Sequence, residues 1–214
     1  MIDLHIGLIP DGNRRYAKAH EIDLNEIYAV SFNKIIDIIE DLLMKRDDKW
    51  QSVNKKFNVK ELSVYVCSME NLTKRAPNEV ENILKMIKKF IEYYESNDWI
   101  AKFGVKINVI GDYGHIKHAD ELKKIVGETA ENKEKILNLA IAYDPKKHIY
   151  DCVKSSESCE NADKAIGREM DIVVRTGFER RTSGFFPWQT MYAEWFFLDK
   201  HFPELTVDDL SRVL

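Results

Sequence analysis

Five consecutive residues, Asp11-Gly12-Asn13-Arg14-Arg15, combine the groups needed to hold a phosphate. Gly12 permits close approach of the backbone. Arg14 and Arg15 carry the planar donor fork that matches phosphate oxygens. Asp11 beside them repels an anion unless a cation lies between, and Mg²⁺ shared by Asp11 and a diphosphate satisfies both. A plain turn that caps a helix accounts for the same residues equally well. A second set lies in Arg175 to Gly184, where Arg175, Arg180 and Arg181 are interleaved with hydroxyls that include Ser183. It suits a second phosphate or diphosphate, and its plainer reading is a solvated basic loop. A third set is Ser68-Met69-Glu70-Asn71, followed by Lys74, Arg75 and Pro77. Its short polar groups suit substrate binding or help with a proton, although such residues also simply shape turns. Glu194 lies within the aromatic stretch Trp188 to Trp195, where a carboxylate needs a partner or a metal unless it is exposed on a helix.

Other chemistries lack their signatures. There is no Walker P-loop, GxGxxG, GxSxG or HExxH. His115 and His118 form an isolated HxxH without a third ligand, which reads as ordinary surface beside a turn. The 214 residues carry 32 Lys plus Arg against 36 Asp plus Glu, a net charge of −4, so a nucleic-acid partner is not expected. Three cysteines without a CxxC suggest a reducing, cytoplasmic setting. No leader is evident and no apolar run approaches the roughly 20 residues of a membrane span, which leaves peripheral membrane contact open.

Strands and helices must position these residues. Leu4–Ile9, Leu62–Val66, Val105–Ile110, Leu137–Ile141 and Ile172–Val174 read as strands. Leu24 to Leu43, a segment from about Asn78 to Tyr94, and the stretch around Leu122, Ile125 and Val126 repeat apolar residues at helical spacing. His148 to Val153 also reads as helix, and Thr206 with Asp209 as a helix start. Phe185 to Phe197 fits no single period; its aromatics suit core packing better than an interface or a membrane face. The alternation predicts one α/β domain over residues 1–214, a central, mainly parallel sheet surrounded by helices. Ligands then bind beyond the carboxyl ends of the strands, which puts all three polar turns on one rim. The apolar faces of the first two long helices serve as core or as the wall of a hydrocarbon tunnel, and periodicity does not separate these.

Together the turns resemble the cis-prenyltransferase family, the undecaprenyl diphosphate synthase-like isoprenyl transferases. His5 to Ala17 is similar to the family's first motif, HxxxIxDGNxRWA, with Tyr16 in place of the usual Trp. Val66 to Asn71 is similar to FSxEN, Ile110-Gly111-Asp112 matches a further signature, and Asp171 through Glu194 resembles the C-terminal block. The resemblance spans nearly the whole chain. It implies an apolar tunnel, a homodimer or heteromer, and transfer of an allylic prenyl group to isopentenyl diphosphate with formation of a cis double bond. It further implies that Asp11 holds Mg²⁺ and assists loss of the allylic diphosphate, cradled by Gly12, Asn13, Arg14, Arg15 and the neighbouring Tyr16. Arg175, Arg181 and Ser183 are implied to bind isopentenyl diphosphate, with Glu194 contributing to its metal. Asn71 is implied to aid proton removal, with Ser68 and Arg75 as substrate contacts.

The chain departs from the family pattern on the donor side. Leu24 and Tyr28 fall where an Arg and a His are usual, and Ala142-Tyr143-Asp144-Pro145-Lys146 lacks the glycines of an NYGGR-like segment. The loop before Arg75 is one residue longer, and about a dozen residues are inserted around Arg46–Asn58. Two alternatives therefore stay open, transfer to another acceptor or with another bond geometry, and a non-catalytic subunit of a heteromeric enzyme.

Overall fold

The structure is a computed structural model that describes residues 2–44 and 57–214. Six strands form one sheet: β1 (Ile2–Ile9), β2 (Phe57–Tyr65), β3 (Val105–Ile110), β4 (Lys135–Ala140), β5 (Ile172–Arg175) and β6 (Glu194–Phe197). Their order is β3-β4-β2-β1-β5-β6, and every pairing is parallel. The helices are α1 (Asn13–Ala19), α2 (Leu24–Met44), α3 (Met69–Lys74), α4 (Pro77–Ser96), α5 (Trp99–Lys102), α6 (Ala119–Glu128), α7 (Pro145–Lys154), α8 (Cys159–Ile166) and α9 (Val207–Val213). Among the described residues no helix is long and apolar enough to cross a membrane.

One sheet face presents Leu4, Ile6, Leu8, Val59, Leu62, Val64, Ile107, Leu137 and Leu139, packed with the inner stripes of α2, α4 and α6 in the main core. Val59 shares that face with Leu62 because a bulge shifts the register between Leu4↔Val59 and His5↔Glu61. The odd spacing hides the first half of β2 from a period-two reading, so the strand begins at Phe57 rather than at Leu62. The sixth strand carries no period-two signal either. Glu194–Phe197 is a four-residue edge strand whose aromatics mask any alternation. Glu194 itself is exposed at the start of that strand, not on a helix. Phe185 and Phe186 are fully buried with Ile9, Tyr143, Met170 and Val173 in a second core. Thr206 caps α9 through a reciprocal bond with Asp209, as its sequence suggests. Of the expected insertion around Arg46–Asn58, Phe57 and Asn58 open β2 and the rest lies outside the described residues.

The other sheet face carries a polar ladder across four strands. Asn108 Nδ2 donates to Asn138 Oδ1 at 2.8 Å. Asn138 Nδ2 donates to Glu61 Oε1 at 2.6 Å and to Ser63 Oγ at 3.0 Å. Ser63 Oγ is 2.8 Å from His5 Nε2, and His5 Nδ1 is 3.1 Å from the Glu169 carbonyl. The carbonyl only accepts, so Nδ1 carries the proton and Nε2 accepts from Ser63. A neutral imidazole completes the ladder in this way. Burial lowers the His5 pKa below 6.5, against the opposing pull of Glu61. An unfolded histidine takes up a proton below about 6.5 while the folded one does not, so stability is present above that pH and is lost as the pH falls beneath it. We expect unfolding free energy to fall as the pH drops beneath about 6.5, from the proton this group takes up only when unfolded. Chemical denaturation at pH 7.5 and 5.2 checks it. A His5→Gln chain with the same pH slope as the parent would refute the assignment.

Candidate active site

The chain leaves β1 toward β2 on one side and returns at β5 on the other side of β1, so the connections diverge between β1 and β5. Such a switch point opens a crevice at the carboxyl ends of the strands. Asp11 follows β1 and Arg175 ends β5, and they meet across this crevice. Arg175 Nη2 donates to Asp11 Oδ2 at 2.8 Å. The same guanidinium donates through Nη1 to Ser183 Oγ at 2.8 Å and to the Arg181 carbonyl. Its side chain is 3% exposed and that of Asp11 34%, so this ion pair spans the wall between core and cavity. Asp11 Oδ1 accepts the Gly12 N–H at 2.7 Å, and Arg15 Nη2 lies 3.4 Å from Oδ2.

Glycine is required where the two turns touch. Gly12 has φ +103°, and a Cβ there would sit 2.5 Å from His201 Nδ1. Gly177 has φ +97°, and its Cβ would fall 2.9 Å from the Asp11 carbonyl carbon and from an Arg15 guanidinium nitrogen. Any larger residue at 177 would push the second arginine-bearing turn off the first. Beyond it, Phe178 and Ser183 hold left-handed backbones at φ +65° and +50°, a conformation that costs a non-glycine residue about 1–2 kcal/mol. Arg175 helps to hold Ser183 in that conformation.

A cavity of about 1370 Å³ occupies the crevice, lined by Asp11, Gly12, Asn13, Arg14, Arg15, Ser68, Asn71, Arg75, Arg175, Arg181 and Ser183. The structure thus brings together all three polar turns. Leu24 and Tyr28 line it too, where the family pattern has an Arg and a His. Tyr16 does not line it; its ring packs on His20 at 4.2 Å and edge-on against His201 at 6.1 Å. Nor is Glu194 brought in. Glu194 pairs with Ile172 while Phe197 pairs with Arg175, so Glu194 sits at the amino end of the strand, roughly 10 Å below the rim in its own chain.

Several site residues escape sequence reasoning. Glu179 joins Arg15 Nη1 at 2.7 Å and Arg181 Nη1 at 2.5 Å. Glu79 joins Arg14 at 3.1 Å and Arg75 at 3.9 Å. Neither carboxylate stands out in a chain where charged residues are 32%. Tyr65, the last residue of β2, lines the cavity and donates to the Ser183 carbonyl at 3.4 Å; burial pushes its phenol up to about 12, so it stays a donor. Cys67, in the Phe position of the FSxEN-like motif, is a buried thiol pushed up to about 11 by desolvation, too high for a nucleophile at neutral pH. Ser68 and Asn71 cap α3 reciprocally: Asn71 Oδ1 accepts the Ser68 N–H and Ser68 Oγ accepts the Asn71 N–H, both at 3.1 Å. That commits the Asn71 oxygen and leaves Nδ2 as the atom able to meet a ligand. Asn13 is similarly tied, with Oδ1 accepting from Ser31 Oγ at 2.8 Å.

The inner end of the cavity is apolar. Ile35 of α2 and Ile83 and Met86 of α4 line it, and behind Ile35 and Met86 a further 40 Å³ void is walled by Phe32, Ile39, Phe90 and other apolar residues. The two helix faces thus serve both roles, mostly core with a few residues turned to the cavity.

A magnesium ion fits this donor set in one way. Among the described residues no group of three or more His, Cys, Asp and Glu could cage a metal. Mg²⁺ commonly takes only one or two carboxylates and completes its shell with water and substrate phosphates. Asp11, reachable from the cavity and next to the arginines, suits a metal shared in that way.

A family model described as "Putative undecaprenyl diphosphate synthase" matches residues 9–214. A tritrans,polycis-undecaprenyl-diphosphate synthase (geranylgeranyl-diphosphate specific) from Sulfurisphaera tokodaii is 28% identical over 98% of this chain and 83% of its own length. The protein of the same description from Pyrococcus horikoshii is 30% identical over 98% and 82%. Among solved structures, lavandulyl diphosphate synthase from Lavandula x intermedia, in complex with dimethylallyl diphosphate, superposes with a TM-score of 0.79 at 20% identity, covering 98% of this chain and 92% of that one. A probable undecaprenyl diphosphate synthase from Campylobacter jejuni gives 0.73 at 24% identity, covering 100% and 94%. At those identities the two structures speak for the fold.

Proposed function

The chain belongs to the undecaprenyl diphosphate synthase family of prenyltransferases, and from that premise we propose how its residues divide the work of the family's reaction. It condenses an allylic prenyl diphosphate with isopentenyl diphosphate and so lengthens a cis-polyprenyl diphosphate. The observation that carries the division is the meeting of two arginine-bearing turns on the single carboxylate of Asp11, above a cavity with an apolar inner end.

Departure of the allylic diphosphate builds negative charge on one side of the cavity and cation character on the allyl carbon. Arg14 and Arg15, with the amides of the first turn of α1 that lack intrahelical acceptors, hold the departing diphosphate. Arg181 and the Ser183 loop, braced by Arg175, hold isopentenyl diphosphate beside it, so that its C4 carbon faces the allyl C1. Ile35, Ile83 and Met86 take the hydrocarbon and exclude water from the carbocation-like centre. Asn71 Nδ2 donates to a phosphate oxygen and so orients the departing diphosphate, whose oxygen takes the C2 proton that the acceptor loses as the new carbon–carbon bond forms. Asp11 would hold Mg²⁺, which when bound supplies further neutralisation of the diphosphate charge. Glu194 cannot reach that rim within its own chain, so its metal role belongs to a homodimer in which a second copy presents it. The archaeal relatives named as geranylgeranyl-diphosphate specific make a C20 allylic donor the first to test.

The test is incorporation of radiolabelled isopentenyl diphosphate by the purified chain with Mg²⁺ and a panel of C5 to C20 allylic diphosphates. Labelled cis-polyprenyl products that vanish when EDTA is added are expected. No incorporation with any donor would overturn the reading for the isolated chain.

A further inference from the structure

Arg14 and Arg75 come from different parts of the chain, α1 and the link between α3 and α4, and one carboxylate brings them together. Arg14 Nη1 donates to both oxygens of Glu79, at 3.3 and 3.1 Å. Arg75 Nε lies 3.9 Å from Glu79 Oε2, and Arg75 Nη1 donates to the Tyr28 hydroxyl at 3.3 Å. All four side chains line the same cavity. Glu79 is the third residue of α4, where the helix dipole favours a carboxylate. Its side chain is 20% exposed against 53% for Arg14, so the carboxylate is the fixed member and the arginine the movable one. Tyr28 holds Arg75 from its other edge, independently of Glu79. The arrangement has a consequence for any polyanion entering over Arg14, because it meets cations already neutralised and a like charge between them.

We propose that Glu79 is an internal competitor for the donor diphosphate. It occupies Arg14 and Arg75 while the site is empty, yields Arg14 when a diphosphate arrives, and takes it back as the diphosphate leaves. Tyr28 keeps Arg75 in place through the exchange, which gives the phenol at that position a positioning role. Glu79 thereby weakens donor affinity and favours release of inorganic diphosphate. The proposal rests on the reading of this rim as a diphosphate site.

Inorganic diphosphate with Mg²⁺, titrated calorimetrically into the purified chain, is the direct probe. Glu79→Gln is expected to tighten diphosphate binding about two- to fivefold, the strength of a partly exposed ion pair. The donor KM should fall by a similar factor while the KM for isopentenyl diphosphate stays unchanged, a split that a loosened fold would not produce. Glu79→Asp keeps the charge at the helix start but shortens its reach to Arg14, and should tighten binding by a smaller factor. In an Arg14→Gln background the gain from Glu79→Gln should shrink, because the two residues act as a pair. Diphosphate binding that is equal or weaker in both folded Glu79 variants overturns the proposal and leaves the diphosphate reading standing. Absence of diphosphate binding by the parent chain overturns both.

Discussion

Asp11→Asn should lower kcat/KM for isopentenyl incorporation by about 10²–10³-fold, the scale of losing one preorganised electrostatic contact to a developing charge. The substitution is nearly isosteric. The asparagine oxygen can still accept the Gly12 N–H that Asp11 Oδ1 accepts at 2.7 Å, so the turn should survive. What disappears is the negative charge that Arg175 and Arg15 share at 2.8 and 3.4 Å. Two effects then combine. The site loses the carboxylate that would hold a metal from this chain's own rim, and the two arginines lose the anion that sets their direction. Asp11→Ala should be at least as damaging, because it also leaves the Gly12 amide without an acceptor. Steady-state rates with saturating Mg²⁺, set against thermal unfolding of the same preparations, separate the site effect from the fold effect. Turnover within tenfold of the parent would remove Asp11 from the centre of the mechanism.

How far the sequence reaches toward this site follows from local physics. The strand ends at Ile9 and Ile110 are legible because an apolar run there stops abruptly at a turn residue, and the fifth strand is legible to Val174, one residue short of its end at Arg175. The gathering of the three turns follows from parallel strands alone, since parallel strands put successive carboxyl ends on one rim. Two things resist such reading. The first half of β2 is disguised by a register shift, which depends on what β1 does 50-odd residues earlier. Strand β6 is disguised because Trp195, Phe196 and Phe197 are aromatic on both faces. The site shows the same division. Arginines in a glycine turn suggest an anion site by type and spacing. The carboxylates that pair with them do not, because Glu79 and Glu179 tie a nearby arginine to one 65 or 164 residues away, and only the fold brings that second partner in. Tyr16 is the converse case. Its place in the motif suggests a contact with substrate, but the helical turn carries its ring away from the cavity, onto His20 and His201. Glu194 shows why motif membership does not settle location, since one short parallel strand is enough to carry a residue to the far end of the sheet.

Arg175→Lys should be nearly as harmful as Arg175→Met, and that equivalence is the sharper expectation. A lysine keeps the charge but supplies one compact ammonium on a flexible stem. Arg175 spans three acceptors at once, Asp11 Oδ2, Ser183 Oγ and the Arg181 carbonyl, from a position 3% exposed. An ammonium can serve Asp11 or the 181–183 segment, not both with good geometry. If it serves Asp11, the loop that presents Arg181 and Ser183 loses the contacts that hold Ser183 at φ +50°. The strained backbone then relaxes and the acceptor diphosphate loses preorganised partners. Charge-assisted hydrogen bonds are worth about 1.5–3 kcal/mol each, so the KM for isopentenyl diphosphate should rise roughly 10- to 100-fold in either variant. The donor KM should change far less, because Arg14 and Arg75 hang from other elements. Stability tells the variants apart. Arg175→Met strips Asp11 of its buried partner and should cost about 2–3 kcal/mol, less than a fully buried pair because solvent reaches the Asp11 carboxylate. Arg175→Lys should cost roughly half of that, since the ion pair with Asp11 can re-form. Kinetics with each substrate varied in turn, together with urea unfolding of the three chains, measure both quantities. A lysine variant with parental KM for isopentenyl diphosphate would show that charge alone suffices at this position and that the three-way bracing of the acceptor loop has no part in binding.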